Sequence, residues 1–321
     1  MIVLEAIQRC TDFLARNGVE SPRLQTELLL AHVLKLPRMQ LYLNFERPLT
    51  ELESGAFREC VVRRAHKEPL QHILGTACFC GLEVIVNRHV LVPRPETELL
   101  AEQGRLFLEQ LSAARNGDAI HSEPLRVLDF GTGSGCIAIL LAVKNSSVQV
   151  CATDISSDAL AVAKESATRL NVAGQIEFRQ GDGLSAVPAG SKFSLIISNP
   201  PYVATAEIDN LQPEVRDHDP RTALDGGPDG LRFFELLARN AGPFLAPGGR
   251  LLAEFGDGQA ADIQKLFGEE NWVVEAILDD YTQRPRILIA RSSKLAGETP
   301  ALPAVTGTAQ HMARIIFQSH G

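Results

Sequence analysis

Two short stretches of this 321-residue chain hold groups whose type and spacing suit chemistry. The first is Asp129-Phe130-Gly131-Thr132-Gly133-Ser134-Gly135, which follows an apolar run, Leu125–Phe130, and opens onto another, Gly135–Lys144. A strand, a glycine-rich turn and a helix start are expected there. Glycines let backbone approach a ligand closely, and a helix N-terminus offers free N–H groups. Asp154 ends the next expected strand, 23 residues after Gly131. A carboxylate in that place can accept both hydroxyls of a ribose, so an adenosine-type cofactor is expected. A turn with no ligand would use glycine in the same way; the strand, the helix and Asp154 together favour the ligand. The glycine order is G-x-G-x-G, not the G-x-G-x-x-G of dinucleotide enzymes. No second nucleotide-binding half follows, which disfavours a nicotinamide dehydrogenase.

The second stretch is Ser198-Asn199-Pro200-Pro201-Tyr202. Two prolines after an asparagine make a stiff turn poor in backbone donors. The Pro200 carbonyl and the Asn199 side-chain oxygen are then two fixed acceptors. They suit an –NH₂ group on a planar substrate, an amide or an amine, with Tyr202 as a flat face for stacking. The bland alternative is a turn that merely ends a strand. An amide nitrogen attacks poorly because its lone pair is delocalised. Acceptors aimed at its two hydrogens would stabilise the positive charge that grows as the nitrogen attacks. No strong base is evident in the motif.

The elements around these stretches define the expected architecture. Residues 1–68 read as a small helical bundle. Val3, Ile7, Cys10 and Leu14 recur at helical spacing, Ser21-Pro22 reads as a capped second start, and Thr50 with Glu53 forms a capping box ahead of a third helix closed by Pro69. Residues 69–93 change period and read as a β-hairpin connector. Pro95 opens a helix to about Leu111. From Leu125 strands and helices alternate through Val148–Thr153, Asp158–Leu170, Ile176–Arg179, Ser194–Ser198, Leu231–Ala241, Arg250–Glu254 and Gly258–Phe267. The run ends in two strands without a helix between them, Val273–Leu278 and Ile287–Arg291. Alternation of this kind implies an α/β fold, a Rossmann-like, mostly parallel sheet with a terminal antiparallel hairpin, over residues 94–291. Residues 292–321 read as a flexible tail.

Composition is that of an ordinary globular chain, 45% hydrophobic and 22% charged, with a formal net charge of −8. Residues 1–93 carry 11 basic and 10 acidic side chains, and the rest 20 and 29. The acidic C-terminal part would repel a phosphate backbone at long range, so nucleic acid is not the expected partner. The start lacks the pattern of a signal peptide, and the longest apolar run, Cys136 to Val143, is too short to span a bilayer. Six scattered cysteines without a CxxC pair read as reduced, with Cys78 and Cys80 on one face of a strand. The expectation is a cytoplasmic protein. The histidines show no metal-ligand spacing. Arg58, Arg63, Arg64 and Lys67 make a basic helix end, read as a solvated face or a partner contact.

The whole pattern resembles the release factor glutamine methyltransferase family, over about residues 1–291. Besides the two motifs, the resemblance rests on Pro69-Leu70-Gln71-His72-Ile73-Leu74-Gly75 and Val92-Pro93-Arg94-Pro95-Glu96-Thr97-Glu98. It also includes Leu224-Asp225-Gly226-Gly227-Pro228-Asp229-Gly230-Leu231 and Glu254-Phe255-Gly256 before Gln259. Asn-Pro-Pro-Tyr alone is shared with DNA adenine methyltransferases; the Pro-Arg-Pro-Glu-Thr-Glu stretch sets this family apart. The resemblance implies a methyl donor, S-adenosylmethionine, and a target: the glutamine of the Gly-Gly-Gln loop in class I peptide chain release factors. It places Gly131, Thr132, Gly133, Ser134 and Gly135 at the methionine end of the cofactor, Asp154 at its ribose and Asp182 and Gly183 along its adenine, with Asn199 beside it. Asn199 and Pro200 would hold the substrate amide, with Pro201 and Tyr202 shaping the slot, and Arg94 and Glu96 bordering it. Residues 1–68 would bind the protein substrate. Two positions depart from the pattern: Gly183 stands where some relatives carry a large aromatic residue, and His218-Asp219 where Tyr-Glu is usual. Two alternatives remain at this stage, a DNA or RNA adenine N6 methyltransferase and a non-catalytic module that binds an adenosyl cofactor.

Overall fold

A computed structural model describes residues 1–115 and 124–295. The expected tail therefore lies almost wholly outside the described residues. Helices α1 (Val3–Arg16), α2 (Pro22–Leu34), α3 (Glu51–Ala65) and α4 (Leu70–Leu74) come first. They close around Leu14, Leu29, Leu30, Phe57 and Val61. Ile73 of α4 belongs to that core too, so the packing unit runs past residue 68. The capping box is present: Thr50 Oγ1 accepts from Glu53 N, and the Glu53 carboxylate accepts from Thr50 N. Ser21, by contrast, does not cap α2. Its backbone is left-handed, φ 45°, whereas a side-chain cap needs an extended residue. The stop after α3 falls at Lys67, φ 68°, two residues before Pro69.

Strands β1 (Thr76–Phe79) and β2 (Leu82–Ile85) form the expected hairpin. Cys80 and Gly81 are its two turn residues, both with positive φ, as a tight hairpin turn requires. Cys80 is thus in the turn, not on the strand face with Cys78. All six cysteines are free.

The rest is one seven-stranded sheet covered on both sides. Helix α5 (Pro95–Arg115) leads to β3 (Leu125–Phe130), α6 (Cys136–Lys144), β4 (Val148–Asp154), α7 (Ser157–Arg169), β5 (Ile176–Gln180) and β6 (Phe193–Ser198). A long connection holding the short helix α8 (Pro213–Arg216) follows. Then come α9 (Arg232–Asn240), β7 (Leu245–Glu254), α10 (Ala260–Glu269), β8 (Trp272–Asp279) and β9 (Pro285–Ser292). The strand order is β5-β4-β3-β6-β7-β9-β8, with only β9 antiparallel to its neighbours. Alternate residues feed alternate faces. Val127 and Leu195 pack with α5 and α6, while Leu128 and Ile196 pack with α9 and α10. Among the described residues no helix is long and apolar enough to cross a membrane.

The topology decides where a site can form. The chain runs β3, β4, β5 outward, then returns to place β6 on the other side of β3. A crevice opens at the carboxyl ends of strands where the order reverses. The glycine motif ends β3 and the Asn-Pro-Pro-Tyr motif ends β6. The Ser198 hydroxyl donates to the Phe130 carbonyl at 2.7 Å and ties the two strand ends together.

Candidate active site

The glycine turn takes left-handed backbone at Gly131, Gly133 and Gly135, with φ of 71°, 53° and 78°. Asp154 organises it. One carboxylate oxygen accepts from Gly133 N at 2.8 Å and the other from Ser156 N at 2.9 Å. Each oxygen keeps lone-pair capacity for a further donor. Behind the turn, Asp129 is fully buried and accepts from the Thr132 hydroxyl at 2.6 Å and Ala138 N at 3.2 Å. Burial lifts its carboxyl to about 7, against the pull of those two donors. Its other oxygen has no partner among the described residues.

A cavity of about 640 Å³ lies above the turn. It brings together Gly131, Thr132, Gly133, Ser134, Asp154, Asp182, Gly183, Asn199 and Pro201. Gly135, Pro200 and Tyr202 are not on its wall. Gly135 lies against Ala163 of α7, and Pro200 is buried between two wall residues. Tyr202 corrects the expectation of a stacking face. Its ring packs against the core beneath α9 and α10, and its hydroxyl donates to the Glu254 carboxylate at 3.3 Å. Burial, with the nearby Glu254 charge, pushes its phenol up. Arg94 and Glu96 are not on the wall either, although Pro93 and Thr97 are.

Asn199 is held from behind. Its Nδ2 donates to Thr97 Oγ1 at 2.9 Å, and that hydroxyl donates to Glu254 Oε2 at 2.7 Å. Glu254 is buried, and burial raises its carboxyl to about 7. The side-chain oxygen of Asn199 is thereby left as the acceptor. From the sequence alone neither Thr97 nor Glu254 has an evident role, although both lie inside family stretches. One usable signal was a carboxylate ending the otherwise apolar run Leu251-Leu252-Ala253. Asp129 and the wall residue Phe233 likewise have no role evident from the sequence.

The glycine-rich stretch 224–231 closes over the motif. A Cβ on Gly230 would stand 2.4 Å from the Tyr202 carbonyl oxygen, so only glycine permits that approach. Gln259 donates to the same carbonyl at 3.0 Å and accepts from Gly256 N at 2.8 Å, which accounts for the Glu254-Phe255-Gly256 stretch and its glutamine. His218 and Asp219 lie in the loop between. Asp219 is buried and paired with Arg94 at 2.8 Å, and burial still raises its carboxyl to about 6. Of the basic end of α3, Arg64 alone is internal rather than part of a solvated face, while Arg63 and Lys67 stay at the surface and are tied to neighbouring groups. Arg64 is buried and reaches Gln25, the Glu68 carbonyl and Glu214. Arg63 pairs with Glu68, and Lys67 donates to the carbonyls of Asn17 and Gly18.

With this geometry in place, comparison with known proteins is decisive. The family description PrmC N-terminal domain matches residues 5–75, and Methyltransferase small domain matches residues 101–215. The release factor glutamine methyltransferase of Geobacter sulfurreducens is 44% identical over 256 residues, 79% of this chain and 84% of its own length. That of Chlorobaculum tepidum is 42% identical over 287 residues, 88% of this chain and 95% of its own. The chain belongs to the release factor glutamine methyltransferase family. It is an enzyme of the methyltransferase class, and the first matched segment coincides with the helical core through α4. The catalytic domain of human Mettl16 in complex with an RNA hairpin has a similar fold, with a TM-score of 0.52 at 16% identity over 78% of this chain and 84% of that one. At that identity the likeness extends to the fold alone.

Proposed function

We propose that the enzyme transfers a methyl group from S-adenosylmethionine to the side-chain amide nitrogen, N5, of the glutamine in the Gly-Gly-Gln loop of class I peptide chain release factors. The observation that carries the proposal is that the glycine turn and Asn199 share one cavity, with the Asn199 nitrogen tied back to Thr97 and its oxygen left to accept.

The residues present fit the cofactor. A Cβ at Gly131 or Gly133 would meet nothing within 4 Å, so the turn leaves a cradle on the cavity side. In this reading Gly131 to Gly135 hold the methionine end, Asp154 accepts from the ribose, and Asp182 and Gly183 lie along the adenine. Phe233 provides aromatic surface on the wall that Gly183 does not. When bound, the cofactor supplies an electrophilic methyl on a positively charged sulfur.

The chain's own work is orientation. Asn199 Oδ1 accepts one hydrogen of the glutamine amide and turns its lone pair toward the donor; the Pro200 carbonyl, set between the wall residues Asn199 and Pro201, would accept the other only if the substrate amide reaches past the wall. Preorganised acceptors are worth most where charge develops, and here it develops on nitrogen as the C–N bond forms. Holding nucleophile and methyl in line lowers the barrier further. No base needs to act first; the nitrogen loses its proton after transfer. The helical region 1–68 contacts the body of the release factor, and a cytoplasmic location accords with such a substrate.

Mass spectrometry of a purified release factor, incubated with this protein and S-adenosylmethionine, should show one added methyl on the loop glutamine. Replacing that glutamine by asparagine should abolish it. Asn199→Ala should lower turnover by on the order of 10²–10³, with cofactor affinity far less affected. Methylation of adenine in DNA or RNA, with none on the loop glutamine, would refute the proposal.

A further inference from the structure

We propose that Thr97 and Glu254 are positioning residues that determine which end of the Asn199 carboxamide faces the substrate. The inference rests on the functional reading above and deepens it. A carboxamide is nearly symmetric in shape, and its two ends differ only in that one donates and the other accepts. Rotated by half a turn, Asn199 would aim two N–H donors at a substrate nitrogen that carries donors of its own. Nothing in the Asn-Pro-Pro-Tyr motif prevents that rotation.

The order of donors behind the motif does. Glu254 is buried at the end of β7, and an ionised carboxylate only accepts. Thr97, in the first turn of α5, has a single hydroxyl hydrogen, and at 2.7 Å that hydrogen belongs to Glu254 Oε2. Toward Asn199, Thr97 therefore presents lone pairs alone. The 2.9 Å contact between them is satisfied only by Asn199 Nδ2–H, which leaves Oδ1 as the end free to accept at the wall that Asn199 lines. The other Glu254 oxygen takes the Tyr202 hydroxyl, so the carboxylate itself is held from both sides. Polarity thus runs outward from one buried charge, through one hydroxyl, to the catalytic amide. This assigns a chemical purpose to the threonine of Pro-Arg-Pro-Glu-Thr-Glu and to the glutamate of Glu254-Phe255-Gly256.

Protonation of Glu254 reverses the order. A carboxylic acid donates to Thr97, whose hydrogen is then free to turn to Asn199 and favour the rotated amide. The groups facing Glu254 are Thr97 and Glu96 from α5, Tyr202 from the motif, Cys136 from α6 and Arg286 from β9. Burial is the largest influence and places its titration at about 7, with Glu96 raising it and Arg286 lowering it. Turnover should therefore fall as pH drops through that region.

The test uses the full chain, S-adenosylmethionine and a release factor carrying the Gly-Gly-Gln loop. Thr97→Val keeps the shape and removes both hydrogen-bonding functions. It should lower kcat by on the order of 10–10²-fold, less than loss of Asn199 itself, with KM and calorimetric cofactor affinity little changed. Thr97→Ser should recover most of that turnover. Added to Asn199→Ala, Thr97→Val should cost nothing further, because the amide it orients is gone. The acid limb of the wild-type kcat profile should be absent from Thr97→Val and from Glu254→Gln. Equal turnover by the Val and Ser variants, an additive loss on top of Asn199→Ala, or an acid limb persisting in Glu254→Gln overturns the inference. If Thr97→Val does not fold, the Ser variant and the pH profiles decide the matter. Normal turnover by Asn199→Ala would overturn the functional reading, and this inference with it. An inactive Asn199→Ala beside a fully active Thr97→Val overturns this inference alone.

Discussion

Gly131 and Gly135 stand four residues apart in one motif, and alanine should act on them in opposite ways. Both have left-handed backbone, φ 71° and 78°, which costs a side chain about 1–2 kcal/mol. Their surroundings differ. A Cβ at Gly135 would lie 2.8 Å from Ala163 Cβ and 3.3 Å from both Ala163 Cα and Ile139 Cδ1. Two of those atoms belong to the buried middle of α7, where neither a rotamer change nor a small shift gives relief, so overpacking adds roughly 1–3 kcal/mol. Gly135→Ala should therefore lose about 2–5 kcal/mol of stability. At roughly 2–4 °C per kcal/mol for a domain of this size, that is a fall in Tm of about 4–20 °C. A Cβ at Gly131 meets nothing within 4 Å and points into the cavity. Gly131→Ala should lose only the backbone cost of about 1–2 kcal/mol, yet bind S-adenosylmethionine about tenfold more weakly or worse, since 1.4 kcal/mol of lost contact suffices for that. Urea unfolding and calorimetric titration on both variants give the comparison. Equal destabilisation by the two alanines would refute the packing argument at Gly135, and wild-type cofactor affinity in Gly131→Ala would show that the cavity above the turn is not the cofactor cradle.

Two further predictions concern the carboxylates of the site. Asp154 holds the turn through Gly133 N and Ser156 N, so Asp154→Ala both unties the turn and removes the ribose acceptor; affinity for S-adenosylmethionine should fall roughly 10–100-fold, and unchanged calorimetric affinity in a folded variant would remove the assignment. Asp129 has a folded-state pKa raised by burial to about 7. Its contribution to stability is fully present below the unfolded carboxyl value and is lost as pH rises through about 7, by up to on the order of 4 kcal/mol. Urea unfolding of wild type should therefore weaken between pH 5 and pH 8, and Asp129→Asn should flatten that slope; a parallel slope in the variant would assign the effect to other groups.

Local rules made much of the fold legible. The capping box at Thr50 and Glu53 and the alternation after Leu125 depend on neighbours within a few residues, and both appear as expected. The two chemical motifs were legible for the same reason, since each is a strand end followed by a turn. Long-range partnerships were not. Thr97 reads locally as a polar residue in a first helical turn and Glu254 as the end of a strand; only the meeting of α5 with β7, 157 residues apart, makes them one network with Asn199. Tyr202 misled because an aromatic beside a proline turn looks like a stacking face, whereas the nearest acceptor for its hydroxyl lies inward. β7 begins at Leu245, five residues earlier than read, because Ala246-Pro247-Gly248-Gly249 looks like a turn but lies inside an irregular pairing with β6.

The same long-range logic bears on how a protein substrate reaches Asn199. By sequence, the helical region and the sheet look like separate units joined by a hairpin. The loop that follows the Asn-Pro-Pro-Tyr motif joins them a second time, at successive points. Glu214 takes the buried Arg64 of α3, His218 lies 3.4 Å from the His66 carbonyl, and Asp219 takes Arg94 from the segment that leads into α5. The departure at His218-Asp219 thus sits where the helical region, the entry to α5 and the catalytic loop converge. Breaking a buried charged contact costs far more than shifting an exposed one. In the proposed reading, a surface on the helical bundle that grips a release factor would consequently be held at a set distance from the acceptor for its glutamine. On that reading the two regions would divide the labour of recognition and chemistry without being mechanically independent, which is what delivering one side-chain amide to one fixed oxygen requires.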